Sequence, residues 1–389
     1  MNQLNQNFTI NYAFNVFFTE HLFAPTNTLL KDFLTAHINP NFNQKILFVI
    51  DEGVWQSHPS LDAAIRTYFQ TIAGISLVES FVRVHGGEVA KNDPTQLSAI
   101  IEAIDQHGVD RHSYIVGLGG GAVLDLVGYA AAIAHRGVRH IRIPTTVLSQ
   151  DDSGIGVKNG INYQGKKNFL GTFVPPVAVF NDYTFLKTLD FRSWISGVSE
   201  AVKVALIKEI DFFEWIVDHA EALAHRSDDA IQHLIFKCAD LHMEHIRSGD
   251  PFEFGSSRPL DFVHWSTHKL EQITNFEVLH GEAVAISIAI DVVYSYFIGA
   301  LSLADCQRVL DLLLQLGLPI FHEALLGPQE QNPLLLGLKE FQEHLGGRLT
   351  IVLLAALGKG KEHYEMDHAL ILQAIHQLAR YAATKEISL

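Results

Sequence analysis

The chain reads as an α/β protein whose first part is a parallel, doubly wound sheet and whose second part is mainly helical. Three observations carry that reading. Short apolar runs rich in β-branched residues alternate with amphipathic stretches through the first third. A glycine cluster stands where the third such run passes into a helix, and from about Thr184 helical spacing dominates.

The elements follow in order. K-I-L-F-V-I (45 to 50) is a strand ending at Asp51-Glu52-Gly53, and residues 77 to 85 form a second, ending in Gly86-Gly87-Glu88. Between them, residues 58 to 72 have helical spacing with Ser60 as the cap. After Pro94 the chain is again amphipathic, and residues 113 to 117 form a third strand leading into L-G-G-G-A-V-L-D. Gly117, Gly119, Gly120 and Gly121 let the backbone approach a ligand, and the N–H groups of a helix start favour phosphate. The spacing G-x-G-G-G departs from the G-x-G-x-x-G dinucleotide fingerprint, so the loop reads either as a nucleotide site or as a tight strand-to-helix turn. Asp125 faces back toward it one helical turn on.

A strand ending at Pro144 is followed by T-T-V-L-S-Q-D-D-S-G-I-G-V-K, and G-K-K-N (165 to 168) adds two cations. Polar residues this dense after apolar strands suit a site, or else a flexible loop. The domain boundary is expected around Pro175-Pro176, giving domains 1–180 and 181–389.

In the second domain, S-G-V-S-E-A-V-K-V-A-L-I-K (196 to 208) puts Glu200 and Lys203 on one face of an apolar helix. An internal carboxylate needs a partner, either Lys203 or a metal ion. The stretch Arg258–Glu282 holds His264, His268 and His280, with Asp261 and Glu282 nearby. His264 and His268 are four apart and share a helix face with Asp261, while His280 opens a new helix at V-L-H-G-E. Such donors suit zinc and its neighbours, and they equally suit ordinary core or surface histidines in a chain with 21 of them. The apolar run Ala283–Leu301 is interrupted by Asp291 and reads as a buried core helix, not a membrane span. L-T-I-V-L-L (349 to 354) is a late strand, expected at a minor edge.

Composition bounds the function. With 389 residues, 48% hydrophobic and 18% charged, the chain has enough apolar material for a substantial core. A formal net charge of −15 argues against nucleic acid or an anionic membrane as the main partner, and leaves an anionic small substrate open. Two cysteines, Cys238 and Cys306, and a start without signal-peptide features point to the cytoplasm.

Taken in one order, Gly119–Asp125, Thr145–Lys158, Glu200 and the three histidines resemble the sugar phosphate cyclases, whose best-known member is dehydroquinate synthase. The resemblance runs from about Asp51 to Gly358. It implies a Rossmann-like NAD-binding domain, a helical metal- and substrate-binding domain, and a homodimer. The implied NAD site is Asp51, Glu88 and Lys91 of G-G-E-V-A-K, then Gly119, Gly120, Gly121 and Asp125. It continues through Thr145, Thr146, Asp152, Lys167, Thr188 and Leu189. The implied ligands of a zinc or cobalt ion are Glu200, His264 and His280. Phosphate contacts fall to Lys158, Asn168 and His268, with Arg136 reaching across the dimer interface and Lys203 beside the metal and the substrate hydroxyls. The implied reaction oxidises a secondary hydroxyl with NAD⁺, eliminates phosphate, returns the hydride and closes the ring by an aldol step, leaving NAD⁺ regenerated.

Departures from dehydroquinate synthase bear on the substrate. Asp261 stands where that enzyme has an asparagine, and His242 stands at about the place of a lysine that helps bind the substrate carboxylate. Arg258, counted with the catalytic set, is one residue nearer the histidine than the family's arginine. A lysine lost and a carboxylate gained disfavour a carboxylated substrate. R-P-L-D-F-V-H, V-K-N-G-I-N and F-Q-E-H-L-G-G resemble instead the 2-epi-5-epi-valiolone synthase-type cyclases, which act on sedoheptulose 7-phosphate. Neither subgroup has Val263 and Trp265, where both usually carry glycine and a small or hydroxyl residue. The alternatives are 3-dehydroquinate synthase proper and a metal-dependent alcohol dehydrogenase of the glycerol dehydrogenase type. Lys158, Lys167 and Asn168 count against the latter.

Overall fold

The computed structural model describes residues 3–248, 250–252, 259–327, 332–344 and 346–384. The chain forms two units, Met1–Pro144 with Val157–Asp182, and Thr145–Gly156 with Tyr183–Leu389.

The first unit is an α/β fold on a seven-stranded sheet. Its strands are β1 (Asn15–Thr19), β2 (Gln44–Asp51), β3 (Ile75–Leu77), β4 (Val82–Val84), β5 (Tyr114–Gly119) and β6 (Arg139–Pro144). A hairpin of β7 (Lys158–Tyr163) and β8 (Lys166–Phe173) precedes the last sheet strand, β9 (Ala178–Asp182). The order is β1-β9-β6-β5-β2-β3, with β4 also on β2, and these pairings are parallel. β2 and β5 are buried along nearly their whole length because both faces are apolar, as a sheet covered by helices on each side requires. Leu47, Val49 and Ile115 share one core with Val123, Leu126 and Val127 of the Gly121–Ile133 helix. The register Ile50↔Leu118 brings the ends of β2 and β5 together, so Asp51 lies beside Gly119.

Three local expectations change. The stretch 77–85 forms two strands instead of one, with β3 on the start of β2 (Gln44↔Ile75) and β4 on its end (Val49↔Val82). The break falls where Glu79 binds Arg66 at 2.7 Å and Ser80 meets His107 at 2.9 Å. Ser60 precedes the Leu61–Phe69 helix but its side chain makes no capping bond. The polar stretch from Lys158 to Asn168 is ordered as the β7–β8 hairpin. It packs on the Gly121–Ile133 helix at Gly128, where any Cβ would overlap the Asn159 side chain. Asn159 is held there by Arg142 at 2.7 Å and by its own bond to the Val174 carbonyl at 2.9 Å.

The second unit is helical, with a small antiparallel ribbon of β10 (Ile351–Ala356) and β11 (Lys359–His363). The late strand therefore pairs within its own two-stranded sheet and is not an edge of the main one. Thr145–Gly156 belongs to this unit, although it precedes the boundary expected near residue 180. Gly197 accounts for that placement. A Cβ on it would lie 2.5 Å from the Leu148 backbone nitrogen, so the segment rests directly on the Phe191–Lys208 helix.

The His280–Phe297 helix meets the same helix at Gly281, where a Cβ would overlap the Ser196 carbonyl. Only glycine permits that approach, and it carries His280 toward Glu200. Trp265, in the His264–Ile273 helix, donates its indole N–H to the Asp291 oxygens at 3.2 and 3.3 Å and so ties together the two histidine-bearing helices. Burial pushes the Asp291 carboxyl well above the usual carboxylate range. The apolar run around it is a buried core helix, and no helix among the described residues is long and apolar enough to cross a membrane.

Candidate metal centre and nucleotide-binding loop

In the second unit, Glu200, His264 and His280 each offer a ligand atom within 4.8 Å of the other two. The first lies inside the Phe191–Lys208 helix, the second opens the His264–Ile273 helix, and the third opens the His280–Phe297 helix. Lys203, one turn after Glu200, forms an ion pair with its carboxylate, and its Nζ lies 3.1 Å from Nε2 of His264. Both members of the pair are almost fully buried. An ammonium thus stands among the donors, where a divalent cation would satisfy the same carboxylate and imidazole. The set of one carboxylate and two imidazoles, with a cation already drawn to it, fits zinc or cobalt.

The charge states agree with that use. Burial, and then the neighbouring Lys203 ammonium, lower His264 to about 3, so its imidazole is neutral and carries a lone pair. Burial raises the Glu200 carboxyl, against the opposing pull of Lys203. Lys203 is kept charged because Glu200 and Asp152 outweigh the cost of its burial.

Asp261 is not on the helix with His264 and His268. It ends a short 3₁₀ turn, Pro259–Asp261, and its Oδ1 lies 3.4 Å from Nδ1 of His264. His264 follows Val263, whose backbone is left-handed (φ 67°), a costly state for a β-branched residue. Glu282 is turned to other work. It binds Arg192 at 2.5 and 2.6 Å and caps the Leu279 N–H at 2.8 Å. His268 is ring-stacked 5.1 Å from His264 and 5.7 Å from His280, with Nδ1 3.0 Å from Glu271. Arg258 lies outside the described residues.

Asp152 also lies in this unit, where it binds Nδ1 of His242 at 2.7 Å. Although burial opposes it, His242 and then Lys203 and His264 hold the Asp152 carboxyl well below the usual range. Thr145 is buried, Thr146 exchanges bonds with Ser149, Thr188 ends a 3₁₀ turn, and Leu189 lies between that turn and the Phe191–Lys208 helix. Two acidic residues here were not picked out from the sequence. Asp151 is fully buried, and burial followed by repulsion from Asp152 and Glu200 pushes its carboxyl well above the usual range. Glu271 is 2% exposed and faces two histidines. Its signal was available in the sequence, since it lies three residues after His268.

The first unit holds the glycine loop. Gly120 is the N-cap of the 13-residue Gly121–Ile133 helix and, having no side chain, makes no capping bond of its own. Asp51 accepts from Gly53 at 2.8 Å and from the Gly120 backbone, and burial raises its carboxyl. A Cβ on Gly119 would sit 3.0 Å from both Asp51 and Val123, and one on Gly86 2.6 Å from Asp51 Oδ2. A cradle that leaves little room for a side chain, at the N-terminus of a 13-residue helix, fits a pyrophosphate.

Around it, Lys91 is buried between Asp125 (2.7 Å) and Asn168, while Glu88 accepts from Asn162 (2.9 Å) and lies 3.4 Å from Lys167. Asn168, expected at the phosphate, is thus bonded to a residue expected at the nucleotide, and its own φ of 53° is left-handed. The Lys158 side chain is exposed while its carbonyl accepts from Arg142 at 2.8 Å. Arg136 is exposed and follows His135 in left-handed backbone, with φ of 61° and 51°.

Comparison with known proteins agrees with this geometry. Residues 81–196 match the model of the 3-dehydroquinate synthase N-terminal domain, and residues 197–337 that of its C-terminal domain. The chain is similar to a 2-epi-5-epi-valiolone synthase from Streptomyces hygroscopicus subsp. jinggangensis 5008, solved with NAD⁺ and Zn²⁺ bound. The TM-score is 0.86 at 27% identity, over 97% of this chain and 99% of that one. A 2-deoxy-scyllo-inosose synthase, complexed with carbaglucose-6-phosphate, NAD⁺ and Co²⁺, shares the fold. Its TM-score is 0.74 at 24% identity, over 92% and 95% of the two chains. So does glycerol dehydrogenase from Schizosaccharomyces pombe, with a TM-score of 0.63 at 16% identity over 95% and 89%.

Proposed function

The chain belongs to the dehydroquinate synthase-like sugar phosphate cyclases, and from that premise we propose that it converts a seven-carbon ketose phosphate of the sedoheptulose 7-phosphate kind to a carbocycle. Phosphate is eliminated, which makes the enzyme a carbon–oxygen lyase acting on phosphates. Bound NAD and a zinc or cobalt ion would supply reversible hydride transfer and Lewis-acid polarisation of the reacting oxygen.

The observation that carries the substrate choice is Asp261 beside His264, with His242 engaged by Asp152 at 2.7 Å. A substrate carboxylate brought to this cluster would meet Asp261 where dehydroquinate synthase offers asparagine, and in place of that enzyme's lysine a histidine already engaged by Asp152. Close like-charge approach costs about 1–4 kcal/mol at partly shielded sites. A polyol chain pays no such cost, and its hydroxyls can donate to Asp261 and Asp152. This supports a neutral, hydroxylated chain over the keto-acid phosphate.

The remaining roles follow from the side chains. Neutral His264, with His280 and Glu200, would hold the metal. Lys203, displaced from among the donors, would donate to a substrate hydroxyl while keeping its charge. His268, 39% exposed at its side chain, would contact a phosphate oxygen. Lys158 and Arg136 are exposed cations of the kind a phosphate takes, and it is the family resemblance that gives Arg136 the role of reaching a second copy in a homodimer. The glycine cradle with Asp51, Lys91 and Asp125 would take the dinucleotide. A panel of ketose phosphates, read by phosphate release and product mass, tests the reading. The proposal predicts release from sedoheptulose 7-phosphate well above that from the seven-carbon keto-acid phosphate, and the reverse preference would make the protein a 3-dehydroquinate synthase.

A further inference from the structure

We propose that the second unit carries a ligand site apart from the metal centre, which takes a small carboxylic acid with an aromatic body. The site stands independently of the proposed reaction. Where the C-terminal end of the His280–Phe297 helix passes the Leu303–Gln315 and His368–Thr384 helices, the three leave a cavity of about 440 Å³. Small-molecule sites span about 300–1,000 Å³. Val293 is the first residue of its helix to line the cavity, and from His280 to Val293 is about 20 Å along the axis at ~1.5 Å per residue. An occupant here is held away from the metal and is not the substrate.

Each helix contributes side chains spaced by one turn, which share a face. Val293 and Phe297 come from the first, Cys306 and Leu310 from the second, and Gln377 and Tyr381 from the third. Val293, Cys306 and Leu310 are almost fully buried, so the floor is apolar. Burial pushes the Cys306 thiol up to about 12, which leaves it a neutral, soft surface and not a nucleophile. The rings of Tyr296, Phe297 and Tyr381 line the walls, and such rings favour an aromatic partner in stacked or edge-on contact. At the rim, Gly299 is left-handed (φ 73°) and has open space where a Cβ would stand.

The polar groups gather on one side. Gln373, Gln377 and Arg380 share a face of the His368–Thr384 helix, with Gln373 and Arg380 exposed. Among the described residues that line the cavity, Arg380 carries the single formal charge, in a chain whose net charge is −15. Asp311 accepts from the Tyr381 hydroxyl at 2.7 Å and stands outside the lining. A guanidinium receives a carboxylate through two parallel N–H bonds, and the side-chain amides can add donors. One cation suits one negative charge, whereas a phosphate monoester brings about two. An apolar floor also leaves sugar hydroxyls without partners. Apolar body and single anionic end together describe an aromatic monocarboxylic acid.

The test is isothermal titration of the metal- and NAD-loaded protein with 3-phenylpropionate and with its neutral amide. The acid should bind once per chain, and the amide at least about tenfold more weakly. Arg380→Gln, at an exposed position, should weaken the acid about tenfold and leave the amide unchanged. Leu303→Trp, at the half-buried rim, should fill the mouth and abolish binding of both, with metal content and melting temperature as in wild type. No binding of the acid up to millimolar concentration would overturn the proposal, as would acid binding that survives both substitutions. A dimer that Leu303→Trp dissociates in sedimentation, with no acid bound by wild type, would give the cavity to a second copy of the chain and overturn it equally.

Discussion

The ammonium of Lys203 lies 3.1 Å from Nε2 of His264 while pairing with Glu200 in its own helix. One buried cation therefore engages two of the three expected metal ligands. A divalent ion must displace it, and the displaced ammonium stays within reach of whatever oxygen the ion binds. Lys203→Met removes this competitor without adding charge. Metal affinity, measured by chelator competition, should stay equal to wild type or rise. Phosphate release should fall about 10²- to 10³-fold, the usual cost of losing one positioned donor.

Glu200→Gln has the opposite signature. It leaves the Lys203 ammonium buried without its carboxylate, which costs about 3–5 kcal/mol. The metal-free variant should melt well below metal-free wild type and should retain no zinc by elemental analysis.

The glycine cradle makes a separate prediction for NAD. Alanine at Gly119 places a Cβ 3.0 Å from Asp51 and Val123. The strand end must shift, and NAD affinity read by fluorescence titration should drop tenfold or more, while metal content stays unchanged.

Much of this was legible in the sequence. The strand ends at Asp51 and Gly119 announce themselves because an apolar run stops at a charge or a glycine, and Glu200 stands out as a carboxylate in an apolar helix. His264 and His280 were suggestive but open, since only the approach permitted by Gly281 brings them to Glu200. Asp152 reads as part of a polar loop, and its pairing with His242, 90 residues away, has no local signal. The split between β3 and β4 was likewise hidden, because it depends on Arg66 and His107 drawing out the middle of one strand-like run. Glu271 has the spacing to His268, but a glutamate near the end of a polar helix reads as solvated, and only the fold buries it.

Trp265 and Asp291 predict a pH effect. Burial raises the folded-state pKa of Asp291 above its unfolded value near 4. Stability from this group is therefore complete below about pH 4 and is lost as pH rises toward the folded value. Asp291→Asn keeps an acceptor for the indole and cannot ionise. Its melting temperature relative to wild type should climb as pH increases from 5 to 9. Trp265→Phe removes the donor, and should cost about 1–3 kcal/mol by leaving the buried Asp291 unsatisfied.

Asp261→Asn tests the substrate argument. With the carboxylate gone, the ratio of phosphate release from the keto-acid phosphate to that from sedoheptulose 7-phosphate should rise about tenfold or more, corresponding to about 1.4 kcal/mol of relieved repulsion.

The central claim is a phosphate-eliminating cyclisation in which the cofactor is restored at each turnover. The most direct measurement is single-sample kinetics of zinc- or cobalt-loaded protein with NAD⁺ and sedoheptulose 7-phosphate, following phosphate, absorbance of reduced cofactor and product mass together. The account predicts many equivalents of phosphate per chain, one carbocyclic product lighter by phosphoric acid, and no net NADH. Steady NADH accumulation without phosphate, from this substrate or from a simple alcohol, would contradict it and indicate a dehydrogenase.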